Sequence, residues 1–345
     1  MIKRRIMKRY SLLLALLGVI LGFSSCSKDE LNTESIFPNT PVQRNNFDTW
    51  LLNNYTKPYN VSFNYRYSDK DVSSYFNLVP ADSTKAVALA IMMRHIWIEA
   101  YTELLGEKFM KENCPRIMQL VGSPQYKQDE ELVLGTAEGG LKITLFNVNA
   151  IDIDHPFLEC DNPFVDKKGP ALDLNYWFFH TMHHEFCHIL NQKKNYPTDF
   201  RLVSAAKYKT SDWVNVKDVD APKDGFVSGY ASSEYNEDFA EIYSTYVTHS
   251  EKAWQTILKK SITAKLDANG DTIFMKKEVK GPDGKIIEVR EPELDTSGLE
   301  AILKKLDIMK NYYRDSWGLD MDKLREIVLR RSKEAVTKLD LRSLK

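Results

Sequence analysis

Tyr176-Trp-Phe-Phe-His-Thr-Met-His-His-Glu-Phe-Cys-His-Ile-Leu190 is the stretch that decides how this chain is read. It contains His184-Glu185-Phe186-Cys187-His188, an H-E-x-x-H pattern. On an α-helix, two histidines four residues apart share a face and are close enough to bind one metal ion. Glu185 is turned by about 100° from His184, which sets it beside that ion, in position to take a proton from an attacking water. A helix is expected here. Neither Pro nor Gly occurs between 171 and 195, and Trp177, Phe178, Phe179, Met182, Phe186 and Leu190 make the segment apolar nearly all round, as in a buried helix.

Two imidazoles and a flanking carboxylate suit Zn²⁺, which takes a third protein ligand and keeps one position open for water. A third histidine in H-E-x-x-H-x-x-G-x-x-H is excluded, because Asn191 and Lys194 stand at the Gly and His positions. Asp199 lies eleven residues after His188, a spacing used by zincins whose third ligand is Asp. Its surroundings, Tyr196-Pro-Thr-Asp-Phe200, lack the Gly-Thr-x-Asp segment of that class. The stronger candidate is Glu237, in Gly229-Tyr230-Ala-Ser-Ser-Glu-Tyr-Asn-Glu237-Asp238-Phe239-Ala240-Glu241. Glu237 and Glu241 are spaced i, i+4 on a helix expected to run to about residue 248. Phe239, Ala240, Ile242 and Tyr243 make much of that helix apolar, which argues for burial. Glu237 is the expected ligand, and Glu241, one turn on, is placed to orient a ligating His through its other ring nitrogen.

These residues carry a resemblance. H-E-x-x-H followed some fifty residues later by Glu-Asp-Phe-Ala-Glu resembles the gluzincin class of zinc metallopeptidases. More narrowly, the chain is similar to the zinc-binding metallopeptidase lipoproteins of Bacteroidetes that accompany outer-membrane nutrient-import systems. The resemblance implies a zincin-like α+β domain with a mixed sheet over the H-E-x-x-H helix. It also implies Zn²⁺ held by His184, His188 and Glu237, and Tyr230, seven residues before Glu237, donating to the tetrahedral oxyanion. Cys187 departs from the pattern, where Gly is usual, and is read as a small buried filler.

The N-terminus adds a location. A basic segment with Lys3, Arg4, Arg5, Lys8 and Arg9 precedes an apolar run over residues 12–23, and then Ser24-Ser25-Cys26. That run is too short to span a bilayer, and the order is that of a cleaved export signal. It resembles a bacterial lipoprotein signal with lipid on Cys26, although Phe23 stands where Leu is commonest, and Met7 is an equally serviceable start. Ser27-Lys28-Asp29-Glu30 looks like a short acidic surface-export tag. The expected layout is a signal peptide over 1–25, a lipidated polar tether over 26–45 and the metallopeptidase domain over 46–345. Loss of residues 1–25 removes five basic and no acidic residues, leaving 42 against 48 and a formal charge of −6. No basic stripe remains to follow a phosphate backbone, so nucleic acid is excluded as a partner.

The rest of the chain reads as supporting structure. A short helix is expected over 46–55, and a long one over 84–113, capped by Asp82 or Ser83 and ended by Cys114-Pro115. Strands are expected over 61–67, 117–121, 131–136 and 141–148, with Gly139-Gly140 turning the last pair. Asn269-Gly270 and Asp283-Gly284 are read as hairpin turns. A calcium loop at Asp267-Ala-Asn-Gly-Asp271 is rejected because Thr272 occupies the obligatory Gly position. Two amphipathic helices, over 299–317 and 321–339, finish the chain. Three cysteines follow Cys26, so at least one is unpaired; a Cys114–Cys160 bridge is permissible. His180 lies about 12 Å along the helix from His188, too far to share its ion, and is assigned to packing or to a bond behind the ligands. His183 points elsewhere, and His95 and His249 are read as structural or surface.

Two functions follow. The first is hydrolysis of peptides or glycopeptides at the cell surface, linked to an import complex. The second is a non-catalytic surface lipoprotein that binds substrate for a transporter and keeps zinc for structure. A structural site is closed by four protein ligands, a catalytic one keeps an opening.

Overall fold

The computed structural model describes residues 43–66, 77–126, 132–138, 140–164, 171–280, 282 and 284–344. Strands β1 (Ser62–Asn64), β2 (Ile117–Leu120), β3 (Gly135–Glu138) and β4 (Lys142–Leu145) form one sheet in the order β1-β2-β4-β3. β1 and β4 run parallel to β2, with Ser62 opposite Ile117 and Ile117 opposite Lys142. Met118, Leu120, Ile143 and Leu145 are fully buried, as expected of parallel strands covered on both faces. β3 pairs antiparallel with β4, Gly135 opposite Leu145, and forms the edge of the sheet. Gly140 turns this hairpin with φ +71°, a conformation that costs glycine little.

The strand expected over 131–136 is divided. Leu132–Val133 pairs back with Gln125–Tyr126, and only from Gly135 does the chain join the larger sheet. A Cβ at Gly135 would fall 2.6 Å from Thr181 Cγ2, so glycine lets the edge strand press onto the H-E-x-x-H helix.

Helix α1 (Asn46–Leu51) opens with a capping box between Asn45 and Asp48. α2 (Ser83–Met93) begins at Asp82, whose side chain accepts the amides of Thr84 and Lys85. It continues through a π turn at Arg94–Ile98 into α3 (Glu99–Leu105). The single helix expected to residue 113 is broken at Gly106, with φ 84° and ψ 162°, after which α4 (Glu107–Asn113) resumes. Only glycine enters that backbone region without strain.

A π turn at Asn175–Phe179 leads into α5 (His180–Lys193), and α6 (Tyr235–Thr248) packs alongside it. Phe186 of α5 meets Trp97 and Tyr101 edge-on at 5.3 and 4.9 Å, which ties α5 to the π turn and to α3. α6 is buried from Asp238 through Thr248. α7 (Glu251–Lys260), α8 (Ser297–Trp317) and α9 (Met321–Thr337) complete the body, with α9 laid against α6. Between α7 and α8 a hairpin of β5 (Phe274–Lys280) and β6 (Ile286–Pro292) runs in register from Phe274 opposite Pro292 to Lys280 opposite Ile286.

The architecture is thus mixed α and β with a small mixed sheet. Cys114, Cys160 and Cys187 are all free, so the permissible Cys114–Cys160 bridge is not formed. The chain divides into two units, Met1–Arg44 and Asn45–Lys345, and every element above belongs to the second. The expected signal peptide, Cys26 and most of the tether lie outside the described residues. Among the described residues, no helix is long and apolar enough to cross a membrane.

Candidate metal centre

α5 and α6 carry the centre between them. His184 and His188 sit one turn apart on α5, and their Nε2 atoms are 3.1 Å apart. Glu237, in the first turn of α6, brings Oε2 to 2.9 Å from His184 Nε2 and 3.4 Å from His188 Nε2. Ligands on a tetrahedral zinc with bonds of 2.0–2.1 Å stand roughly 3.3–3.4 Å apart. The observed triangle is close to that size.

Glu241 fixes the ring of His184 from behind. Its Oε1 lies 2.9 Å from His184 Nδ1 and 2.9 Å from His180 Nε2, while Ser228 Oγ donates to Oε2 at 2.6 Å. An ionised carboxylate only accepts, so both rings donate to it. Neutral His184 then turns the lone pair of Nε2 toward the carboxylate of Glu237 and toward His188. Three acceptor atoms meeting at one point require a cation there, whether a proton or a metal. The residues therefore fit a zinc ion on the chemistry of their donor atoms.

The electrostatics put a proton at that point, which a metal would displace: burial lowers His184, but its hydrogen bonds to Glu237 and Glu241 outweigh burial and raise its pKa well above the usual value. Burial alone would raise the pKa of Glu237, but the hydrogen bonds and charges of His184 and His188 outweigh it and hold the carboxyl far below its usual range. Burial of Glu241 is likewise overcome, by His180 and His184. Glu185 is raised, because burial there exceeds the pull of the two histidines. Tyr230 is raised too, first by burial and then by the charge and hydrogen bond of Glu237, so its hydroxyl keeps its proton.

Around the triangle opens a cleft of about 830 Å³, whose lining includes Glu185, Tyr230 and, from the sheet edge, Gly135 and Thr136. The ring of Tyr230 lies 5.9 Å from that of His184 and is braced by Trp213 at 4.9 Å.

Residues 40–322 match the family described as "Putative zinc-binding metallo-peptidase". This chain belongs to that family. A solved structure titled as a putative zinc-binding metallo-peptidase from Bacteroides caccae is 32% identical to it. That match covers 90% of this chain and all of the other, with a TM-score of 0.62. No curated protein matches the chain.

In this member of the zinc-binding metallopeptidase family, His184, Glu185, His188, Tyr230, Glu237 and Glu241 all come together at one cleft. Asp199 does not. It is exposed at the start of a single helical turn, Asp199–Val203, and belongs to neither of the two metal-capable groups among the described residues. The second such group, His180, His184 and Glu241, shares His184 with the first and is the bonded arrangement behind it. His183 turns away to Tyr101, whose hydroxyl is 2.8 Å from Nδ1, and burial lowers its pKa to about 3. His249, read as structural or surface, is buried against the ring of His180 at 6.3 Å and lines the cleft. His95 is half-buried among Glu99, Glu334 and Arg331. Cys187 is a buried filler, its Sγ accepting from Tyr313. Sequence reasoning missed Ser228, for which no spacing rule exists, and Arg201, which lines the cleft from the turn that Asp199 begins.

Proposed function

We propose that this chain is a gluzincin-type zinc peptidase whose metal is held by His184, His188 and Glu237. The observation that carries the proposal is the convergence of His184 Nε2, His188 Nε2 and Glu237 Oε2 within 3.4 Å of one another, in a cleft that Glu185 also lines. Among the described residues that group offers three ligands, which leaves an opening of the kind catalysis needs and a structural zinc site lacks. Zinc bound there supplies Lewis-acid chemistry, polarising a carbonyl and acidifying a water. The remaining work belongs to the side chains. The raised pKa of Glu185 suits a general base that takes a proton from the attacking water and returns it to the leaving amine. Tyr230, kept protonated, donates a hydrogen bond to the oxyanion. Glu241 holds His184 in the tautomer that turns Nε2 toward the metal. Among the described residues β3 is an edge strand, pressed against α5, which suits an extended peptide added as a further strand.

The substrate class is peptide or glycopeptide. The protein is held at the outer membrane by lipid on Cys26, faces the cell surface and serves an import complex. The support for this is the basic, apolar and Ser-Ser-Cys order of residues 1–26 and the resemblance to import-associated lipoproteins. Glu185→Gln tests the chemistry: zinc content stays at one per chain while hydrolysis of a peptide-library substrate is abolished. Loss of zinc in that variant would mean Glu185 is a ligand, and full activity would remove the mechanism.

A further inference from the structure

The cleft is lined by five carboxylates, Glu185, Asp218, Glu234, Glu237 and Glu241, and among its described lining residues by a single Lys or Arg, Arg201. The guanidinium of Arg201 lies over the ring of Tyr235 at 4.4 Å and stands 5.9 Å from the ring centre of Tyr196. No carboxylate pairs with it among the described residues, and its side chain is exposed to the cleft. Both rings are tied to α6. Tyr196 stacks on Phe239 at 4.1 Å, and its hydroxyl donates to Asn236 Oδ1 at 2.9 Å. Tyr235 and Asn236 immediately precede Glu237 in the first turn of α6. The platform that carries Arg201 is therefore rigidly tied to the element that carries the proposed third metal ligand.

A guanidinium held over an aromatic ring leaves N–H groups of its rim to match a carboxylate in a two-pronged contact. Apart from the metal position and its histidines, the other charged groups lining the cleft are carboxylates, which repel an anion. We infer that Arg201 is a specificity-determining residue that binds a carboxylate of the substrate. That carboxylate is either the C-terminus of a short peptide or an acidic side chain. The inference rests on the peptide reading above and adds the chemical class of one substrate group to it.

The test uses the zinc-loaded Glu185→Gln protein, so that binding is read without turnover. Three dansylated alanine pentapeptides serve as probes: one with a free C-terminus, one amidated, and one amidated with a single Glu scanned through its positions. Anisotropy titrations are run with Arg201 intact and as Arg201→Gln and Arg201→Lys. The free-acid peptide, a Glu-bearing peptide or both should bind at least about 10-fold tighter than the amidated parent, the range of a charged hydrogen-bonded contact. Arg201→Gln should erase that preference, and Arg201→Lys should restore part of it, with zinc content unchanged. Preference for the free acid alone identifies the C-terminus, and preference for Glu alone identifies a side chain. Equal binding of all three peptides, or a preference that survives Arg201→Gln, overturns the inference and leaves the peptide reading standing. Failure of every peptide to bind overturns both.

Discussion

Lys305→Met should destabilise this protein severely, and by an amount that depends on pH. Lys305 of α8 and Asp238 of α6 are both fully buried, with Nζ 2.6 Å from Oδ2. Lys305 also donates to the carbonyl of Gly225 at 2.9 Å and lies 4.1 Å from the ring centre of Phe226. Tyr208 donates to the same Asp238 oxygen at 2.8 Å. Burial pushes Asp238 up to about 6, with Lys305 and Tyr208 pulling against it, so its carboxyl is ionised at neutral pH. Removing one partner of such a pair costs about 3–5 kcal/mol, because the other charge is left buried alone. Asp238 escapes by taking a proton. At pH 7.5 that route costs about 4.9 kcal/mol relative to an ordinary aspartate of pKa near 3.9, which caps the penalty. The sign of the pH effect follows. In the variant the folded state holds a proton that the unfolded state lacks, so acidification favours folding. The parent aspartate, at about 6, takes up a proton only near the lower end of this range and contributes a much smaller slope. Between pH 7.5 and 6 the penalty should therefore shrink by roughly 1.5 kcal/mol. Urea denaturation of the parent, Lys305→Met, Asp238→Asn and the double variant at both pH values provides the assay. In the double variant an amide still accepts from Tyr208, and most of the loss should be recovered. A Lys305→Met penalty below about 1 kcal/mol, or one that does not change with pH, would refute the reasoning.

The other outcomes are more direct. Glu237→Ala should reduce zinc affinity most severely in competitive chelator titration, and Asp199→Ala should leave it nearly intact. Glu241→Ala should fall between, at the roughly 10–100-fold loss typical of a residue that orients a ligand; collapse with Asp199 and survival without Glu237 would sink the assignment. Cys26→Ala should release the protein from the membrane fraction, since residues 12–23 are too short to span it; a variant that still sediments after a high-salt wash would contradict lipid anchoring. His249 is lowered to about 3 by burial and then by the charge of His180. Its folded form stays neutral while the unfolded chain takes up a proton below pH 6.5, so stability present above that pH is lost on acidification, by about 2 kcal/mol at pH 5. His249→Asn should remove that part of the acid slope in denaturation midpoints, and an unchanged slope would show that His249 is not the group responsible.

Much of the centre could be read from local pattern. Helical spacing puts His184 and His188 on one face of α5 and Glu237 and Glu241 on one face of α6, because 3.6 residues per turn relates residues four apart wherever the helix lies. The apolar runs of β2 and β4, the Asp82 cap and the Gly140 turn are local features of the same kind. The helical setting of Glu237, the carboxylate one turn later and the Tyr seven residues earlier marked it over Asp199. The expected unbroken helix over 84–113 failed at Gly106, where backbone permissiveness overrode an otherwise helical composition.

Local pattern set which groups are present and their order along each helix. Which groups meet was decided by packing. Glu237 reaches His184 across 53 residues of chain, and Ser228 reaches Glu241 only because a loop folds over the α5–α6 seam. Lys305 comes to Asp238 from α8, and Arg201 comes to Tyr235 from the short turn after α5. Periodicity relates neighbours on one element and carries no information about the angle or depth at which two elements pack. Contacts between elements are set by the mutual fit of many buried side chains, here Phe186, Tyr196, Phe239 and Tyr313 among them.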